Sequence, residues 1–325
     1  MSLLARKLEE KLAALRAMER AAGPPDADAL REALRSKAGA LVALAARIVA
    51  GRQMRELVAE LAPAFARLCE KPLERDAGCR GKIAIAKALR DLDSWEDEVF
   101  VRGVALVQEE PVWGGKEDTA AELRAECAMA FAHAGRADAL DVLADLLADR
   151  QRTARAAAAQ ALGDTARPDA AALLRYKVRV GDPEPEVIAA CLGSILALQP
   201  REALPFFASL LSERDERATA AALALGESRL PSARPILVKW CEGTVDPERL
   251  RTGYLALALL RDDGATDDLL AKVRDGEVVE AVAAARALGT FREDPRLAAR
   301  VREAANGRER AVVAAVEAAF GKGAT

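Results

Sequence analysis

Histidine, aromatic side chains and long apolar runs are scarce in this chain of 325 residues. His133 is the single histidine, so a multi-histidine metal site is excluded, and any Ser-His-Asp or Cys-His set would have to use this residue. Its place at the end of an apolar segment favours a structural role, with its ring packed and one ring nitrogen hydrogen-bonded. The longest apolar stretch, Ala38 to Ala46, stops at Arg47, far short of a membrane span.

The five cysteines are scattered along the chain, and no two of them have Cys-x-x-Cys spacing. This distribution argues against both a disulfide framework and a zinc site. Cys127 and Cys191 lie among alanines and leucines, where thiols behave as small core residues. The N-terminal residues carry a charge every few positions, unlike a signal peptide. We therefore expect a reduced, cytoplasmic protein.

Catalytic and nucleotide-binding motifs are also missing. The chain has no Gly-x-Gly-x-x-Gly or Walker-type loop, and carboxylate pairs such as Asp262-Asp263 fall at predicted turns, where they are solvated. Strand-forming residues never alternate over a useful length, and alanine, the best helix former, dominates the apolar set. We expect an all-α, non-catalytic protein with no sheet, no metal ion and no cofactor.

The chain does contain a repeat. The triplet Ala-Leu-Gly ends at Gly163, Gly226 and Gly289, at intervals of 63 residues. Degenerate copies of the triplet end at Ala197 and Leu260, between these glycines. The basic repeat is therefore about half of 63 residues long. A fixed period of this size predicts a solenoid, in which one helix pair stacks on the next. The glycines are interpreted as residues that end helices.

The unit around the first triplet matches a known pattern. Asp149 in a turn is followed by Arg155 early in the next helix, and then by Ala-Gln-Ala-Leu-Gly at 159–163. With these features the sequence resembles the HEAT family, in particular the short repeats named after phycobilisome lyases. The resemblance is strong over residues 120–321 and weaker over 40–120. It implies an α-solenoid of about eight to nine helix pairs, and it implies no chemistry.

We expect residues 1–325 to form one array with three parts: an N-terminal capping helix (1–25), longer irregular repeats (26–135) and regular repeats (136–321). An apolar stripe on one face of the first helix indicates the cap, because a terminal repeat needs a polar outer face. The stripe consists of Leu4, Leu8, Leu12, Leu15 and Met18. A dimerising coiled coil is the alternative interpretation of this stripe.

Two irregular units gain extra length between their first and second helices, at residues 70–80 and 109–119. Equivalent loops of successive repeats project from the same edge, so these inserts are predicted to be neighbours in space. The second insert places Trp113 beside Gly114-Gly115, in a turn whose backbone is free to adopt positive φ. Charged residues frame this turn: Glu109, Glu110, Arg75, Arg80, Lys82 and Arg124.

These residues are interpreted as a partner-binding edge, with Trp113 as its aromatic anchor. The alternative is that Trp113 folds back as a lid over apolar helix ends while the charges pair locally. Residues 110–124 also resemble a segment of bacterial HEAT-repeat proteins, a resemblance that implies no activity. The leading hypothesis is a scaffold that binds a protein partner through its concave face and this edge.

Two other functions stay open from the sequence. One is nucleic-acid binding, similar to HEAT-like alkylpurine DNA glycosylases, although the net charge of −3 argues against it. The second helices offer these cations: Arg80, Lys82, Lys87, Arg90, Arg124 and Arg155. The other is an accessory subunit of a modifying enzyme, as the lyase resemblance implies. A basic block at 1–90 and an acidic block at 91–150 mark either a partner surface or neighbouring repeats that neutralise each other.

Overall fold

The computed structural model describes residues 3–213, 215–244 and 246–321, with side chains from residue 6 onward. The chain divides into two compact units, Met1–Ala166 and Arg167–Thr325. In the described part, no helix is both long and apolar enough to cross a membrane. The expectation of one array over 1–325 stays a prediction.

The first unit consists of helices and one hairpin. Its α-helices are α1 Leu3–Arg20, α2 Ala27–Leu34, α3 Gly39–Gly51, α4 Leu61–Glu70, α5 Pro72–Arg75, α6 Arg80–Asp91, α7 Asp97–Gly103, α8 Ala121–His133, α9 Ala139–Leu146 and α10 Arg152–Asp164. Two 3₁₀ helices, Arg55–Glu60 and Ala77–Cys79, lie between them. The strands are β1 Glu109–Val112 and β2 Gly115–Asp118.

Helices α3, α6, α8 and α10 pack side by side in chain order, each against the next. The first helices of the pairs cover one side of this row, since α2 contacts α3, α4 contacts α6, α7 contacts α8 and α9 contacts α10. Helix α1 packs against α3 and buries Leu15, while Leu8, Leu12 and Met18 lie half-buried on the same core. The stripe therefore faces its own unit, the capping role stays a prediction, and Leu4 lies outside the residues whose side chains are described.

The second unit repeats this plan. Its first helices are α11 Ala170–Val180, α13 Leu204–Leu211, α15 Arg234–Cys241, α17 Asp263–Asp275 and α19 Pro295–Ala304. The second helices, which pack one against the next, are α12 Pro185–Leu198, α14 Glu216–Glu227, α16 Pro247–Leu259, α18 Val278–Leu288 and α20 Arg310–Phe320. Two 3₁₀ helices, Pro231–Ala233 and Gly289–Phe291, join neighbouring helices. This stack of helix pairs confirms the predicted all-α solenoid class.

Two of the repeated glycines, Gly226 and Gly289, allow close packing between neighbouring helices. Gly226 lies inside α14, where a Cβ atom would meet the backbone oxygen of Ala256 at 2.4 Å. At Gly289 a Cβ atom would lie 2.7 Å from that of Ala319. The expectation that these glycines end helices is wrong at Gly226. It is confirmed at Gly289, the C-cap residue of α18, although φ there is −61° and not the left-handed value of a glycine cap.

Two predictions about individual elements are also wrong. The sequence of residues 27–52 predicts one continuous helix, but the structure contains two, α2 and α3. Gly39 at the start of α3 packs so tightly on Asp76 that a Cβ atom would lie 2.4 Å from its Oδ1. The expectation that the chain contains no sheet is wrong, because β1 and β2 pair in the second insert. The hairpin escaped prediction because its strands are short and charged, without apolar alternation.

Candidate functional site

The second insert is a β-hairpin with a two-residue turn. The strands pair antiparallel from Glu109–Asp118 to Val112–Gly115, which leaves Trp113 and Gly114 at the tip. Gly114 has φ of 91°, as the second central residue of a type II turn requires, and residues with side chains rarely adopt this value. The turn chemistry predicted from the glycine pair is thus present, at the end of strands that were not predicted.

Trp113 projects fully into solvent from this tip. Its relative accessibility is 103%, so it touches no helix end and the lid interpretation is wrong. Val112 beside it is 44% exposed, and Leu73 of the first insert is 51% exposed. A free indole ring on an ordered turn is uncommon, because tryptophan is highly buried on average in folded chains.

The two inserts are in contact, as predicted from the equivalence of their positions in successive repeats. The Gly78 amide donates to Glu110 Oε1 at 2.6 Å, and the Gln108 side-chain amide donates to the backbone oxygen of Asp76 at 2.9 Å. Glu110 Oε1 also accepts from Gln108 Nε2 and from the Thr119 hydroxyl, each at 2.7 Å. Glu110 therefore ties the hairpin base to the first insert. We call the surface formed by residues 70–80 and 109–118 the hairpin edge.

The pKa of Glu110 reflects these hydrogen bonds. Partial burial opposes its ionisation, but the hydrogen bonds from Thr119, Gln108 and the Gly78 amide hold the pKa below its ordinary value. The carboxylate is consequently ionised, and its Oε1 atom accepts three hydrogen bonds within the protein. Glu110 therefore positions the hairpin, and its role as a partner contact stays a prediction.

Lys82 is buried and does not frame a surface. Its ammonium and the Asp76 carboxylate are at most 1% exposed and lie 2.7 Å apart. Asp76 also accepts from the backbone amides of Gly81, at 2.6 Å, and Lys82, at 3.1 Å. A lysine is buried only when its charge is neutralised in this way. The prediction that Lys82 faces a partner is therefore wrong.

Arg124 is buried in the same manner at the other side of the hairpin base. Its guanidinium donates to Asp118 at 2.8 Å and to both oxygens of Asp149 at 2.8 and 3.0 Å, and it reaches the Leu106 carbonyl at 2.8 Å. Burial alone would lower the pKa of Arg124, but the two carboxylates raise it. Its side chain is 3% exposed, so the prediction that Arg124 belongs to the partner surface is also wrong.

An acid and a base six residues apart recur in three successive units, as Asp76–Lys82, Asp118–Arg124 and Asp149–Arg155. In the first two pairs the side chains form an ion pair, and in the third the Arg155 guanidinium donates to the Asp149 backbone oxygen at 2.9 Å. Arg124 also bridges to Asp149, which links neighbouring units. The sequence pattern of the family was recognised only around Asp149. The same six-residue interval between an acid and a base is also present in the two irregular units.

The other predicted edge residues divide into two groups. Arg75 is engaged within the protein, since its guanidinium donates to the Arg67 carbonyl at 2.6 Å and pairs with Glu70. Arg80 and Glu109 stay at the surface, and Glu109 pairs with Lys116 across the hairpin at 3.0 Å. The surface residues that remain from the predicted set are Arg80, Glu109, Trp113, Gly114 and Gly115.

Two other features of the first unit involve the single histidine and an aromatic cluster. His133 is exposed, so the expected packing of its ring is wrong, while its Nδ1 lies 2.7 Å from the Met129 carbonyl oxygen, which confirms the expected hydrogen bond. Trp95 packs on Phe100 and Phe131 at centroid distances of 4.9 and 5.0 Å, beneath the Arg136 guanidinium. Among the described residues, no three His, Cys, Asp or Glu side chains converge in a way that could hold a metal ion.

The fold and its insert edge define an α-helical repeat protein built from stacked helix pairs. Residues 115–176 match the family model described as HEAT repeats, so this part of the chain is a HEAT-repeat segment. The predicted family is thereby confirmed over that segment. Among curated proteins, no sequence matches the chain.

Three solved structures illustrate what the chain is similar to. Human deoxyhypusine hydroxylase in complex with glycerol has 17% identity and a TM-score of 0.33, and the match covers 80% of this chain and 96% of that one. The complex of CpcE and CpcF of phycocyanin lyase from a Nostoc species has 19% identity, a TM-score of 0.35 and coverages of 88% and 96%. An engineered protein has 18% identity, a TM-score of 0.33 and coverages of 89% and 86%.

Proposed function

We propose that this protein is a non-catalytic scaffold that binds a protein partner through the hairpin edge, with Trp113 as the anchor. The observation that carries the proposal is the full exposure of Trp113 on a turn whose base is held by buried ion pairs. A turn backbone held by a hairpin loses little conformational entropy on binding, whereas a mobile loop would have to be ordered first.

The size of the effect follows from the area of the ring. Burying a tryptophan removes roughly 150–250 Å² from water, which at about 25 cal/mol per Å² corresponds to roughly 4–6 kcal/mol before the costs of association. Tryptophan is among the residues enriched at interface hot spots, where truncation to alanine costs about 2 kcal/mol or more. Trp113→Ala is therefore expected to weaken partner binding by at least about 30-fold.

The test is quantitative affinity capture followed by binding measurements with the purified partner. Trp113→Ala is compared with Tyr176→Ala, which removes another exposed ring, 70% accessible, from helix α11 of the second unit. We expect Trp113→Ala to lose the partner and Tyr176→Ala to retain it. Equal recovery by the wild type, Trp113→Ala and a variant lacking residues 110–117 would contradict the proposal.

Nucleic-acid binding is less well supported, because most of its candidate cations are engaged within the protein. Lys82 and Arg124 are buried in ion pairs, and Arg90 of α6 pairs with Glu126 of α8. Arg80 and Lys87 remain at the surface. A gel shift at low salt, with Arg80→Glu as the variant, decides whether this surface binds DNA.

The Arg90–Glu126 pair also bears on the charge blocks. It joins the basic block at 1–90 to the acidic block at 91–150, which supports neutralisation between neighbouring repeats at this point. An accessory subunit of a modifying enzyme is a special case of the proposed scaffold, in which the captured partner is the enzyme. Adding the scaffold and its Trp113→Ala variant to that enzyme would then measure the accessory effect.

A further inference from the structure

A cavity in the second unit has the dimensions of a small-molecule site. It lies among helices α15, α16, α17 and α18 and has a volume of about 460 Å³. Ligand sites in proteins are commonly clefts of roughly 300–1,000 Å³ with mainly apolar walls. The apolar part of this wall comes from Val238, Cys241, Leu257, Leu269 and the ring of Tyr254.

A fixed polar group forms one wall of the cavity. Glu280 Oε1 accepts from Lys272 Nζ at 2.7 Å and from the Tyr254 hydroxyl at 3.2 Å, and Glu280 Oε2 accepts from the Glu277 amide at 3.3 Å. Tyr254 itself is 2% exposed. Because the Tyr254 hydroxyl donates to Glu280, its oxygen keeps lone pairs with which to accept a further hydrogen bond.

The lining carries an excess of negative charge. Five of its side chains are acidic and one, Lys272, is basic. Arg234 from outside the lining pairs with Asp268 at 2.7 Å, and Arg274 pairs with Asp275 at 2.9 Å. Among the described residues, no basic side chain forms an ion pair with the two remaining carboxylates, Glu242 and Glu277. Glu277 forms a capping box with Glu280 at the start of α18, and Arg308 donates to the adjacent Gly276 carbonyl at 2.6 Å, so Glu242 is the lining carboxylate without such a partner.

We propose that this cavity binds a small organic cation, a molecule with an apolar body and one protonated amine. The apolar body would lie against Val238 and Ala271, the partly exposed apolar residues of the lining, and the ammonium group would lie at the rim near Glu242. A neutral molecule of the same shape would lack the charge attraction, and an anionic one would be repelled. This inference is independent of the hairpin edge, which lies in the other unit.

The test measures the binding of three probes of matched shape to the full chain: 4-phenylbutylamine, 4-phenylbutanol and 4-phenylbutyrate. Titration calorimetry at low salt should give the tightest binding for the amine, by about fivefold or more over the alcohol, and none for the carboxylate. Added salt should narrow the difference between amine and alcohol, because the rim charges are accessible to solvent.

Variants locate the binding. Glu242→Gln should weaken amine binding by about threefold to fivefold without affecting the alcohol, whereas Glu248→Gln, on an exposed residue of α16 outside the lining, should change neither. Ala271→Phe, which fills part of the cavity, should abolish binding of both probes. The proposal is overturned by equal affinities for amine and alcohol, by the absence of saturable amine binding, or by amine affinity that is unchanged in Glu242→Gln.

Discussion

At the scale of single residues, the hairpin edge separates residues that hold the structure from residues that can meet a partner. Lys82, Arg124 and Glu110 have their charges satisfied inside the protein, whereas Trp113 has no contact that occupies its ring. A charged residue next to a loop is usually solvated, and so sequence reasoning placed all of these at the surface. The neighbouring repeat supplies Asp149 to Arg124 and the Gly78 amide to Glu110, whereas Lys82 pairs with Asp76 of its own repeat.

Removal of the buried lysine charge should destabilise the first unit. Lys82→Met leaves the Asp76 carboxylate buried without its cation, a loss that typically costs about 3–5 kcal/mol. Lys87→Met changes an exposed lysine on the same helix and should stay within about 0.5 kcal/mol of the wild type. Urea denaturation monitored by circular dichroism measures both. Similar midpoints for the two variants would show that the buried pair does not stabilise the fold.

The contribution of Glu110 should depend on pH. Its folded pKa lies below its unfolded value, so its stabilisation is present above the unfolded pKa, about 4.3, and is lost as the pH falls through the folded value. Glu110→Gln should therefore be less stable than the wild type at pH 7, and the difference should narrow at pH 3. Glu117→Gln, directly across the hairpin ladder, should show no loss at pH 7. Denaturation curves at both pH values measure this. The same loss of stability for Glu110→Gln at pH 7 and at pH 3 would contradict the prediction.

At the scale of elements, glycine has two separate uses in this chain. In the hairpin, Gly114 supplies a positive φ that sets the direction of the Trp113 turn. In the second helices, Gly226 and Gly289 let adjacent helices approach closely. The sequence predicted the first use and missed the second, since an Ala-Leu-Gly ending is equally consistent with a helix terminus, as at Gly289, and with a tight contact inside a helix, as at Gly226.

Two glycines at different helix positions should respond in opposite directions to alanine. Gly226→Ala places a methyl group against the Ala256 backbone and should destabilise the second unit by about 1–3 kcal/mol. Gly193→Ala, in α12 with open space around it, should stabilise by roughly 0.5–1 kcal/mol through helix propensity and a restricted unfolded chain. Thermal unfolding compares the two. A stabilising Gly226→Ala would mean that the close contact is not required.

At the scale of the whole molecule, each unit buries cysteines that can report its unfolding. Cys79 belongs to the first unit, and Cys191 and Cys241 belong to the second. Burial raises the pKa of each of these thiols to about 12, which keeps them protonated and unreactive. Cys127 is fully buried with a pKa also raised by burial, while Cys69 is partly exposed.

A thiol reagent should consequently modify Cys69 alone in the native protein at pH 8, and the remaining four cysteines only on unfolding. Mass spectrometry of peptides labelled across a urea series gives a separate midpoint for the cysteines of each unit. Coincident midpoints would indicate that the two units unfold together, and separated midpoints that they unfold independently. Rapid native labelling of Cys127 or Cys191 would contradict the burial described for them.

The sequence by itself determined the helical class, the period, the family resemblance and the adjacency of the two inserts. These follow from local propensity and from a spacing that repeats along the chain, both of which can be read without knowing any contact. It also placed Trp113 in a glycine-supported turn. Whether that ring is free or packed could not be read from the turn residues, because both outcomes use the same turn.

Only the tertiary structure decided which charges are buried, that the second insert is a hairpin, and that a rimmed cavity lies among helices α15 to α18. The environment of Arg124 and the cavity depend on residues far apart in the chain, as when Arg124 meets Asp149 or Tyr254 meets Glu280. The hairpin is a local pairing, but its short charged strands carry no pattern that predicts it. Burying a charge changes the free energy of folding by more than the helix or strand propensity of a single residue does. The repeat therefore fixes the helical frame, while contacts between neighbouring repeats select the residues that remain free to bind.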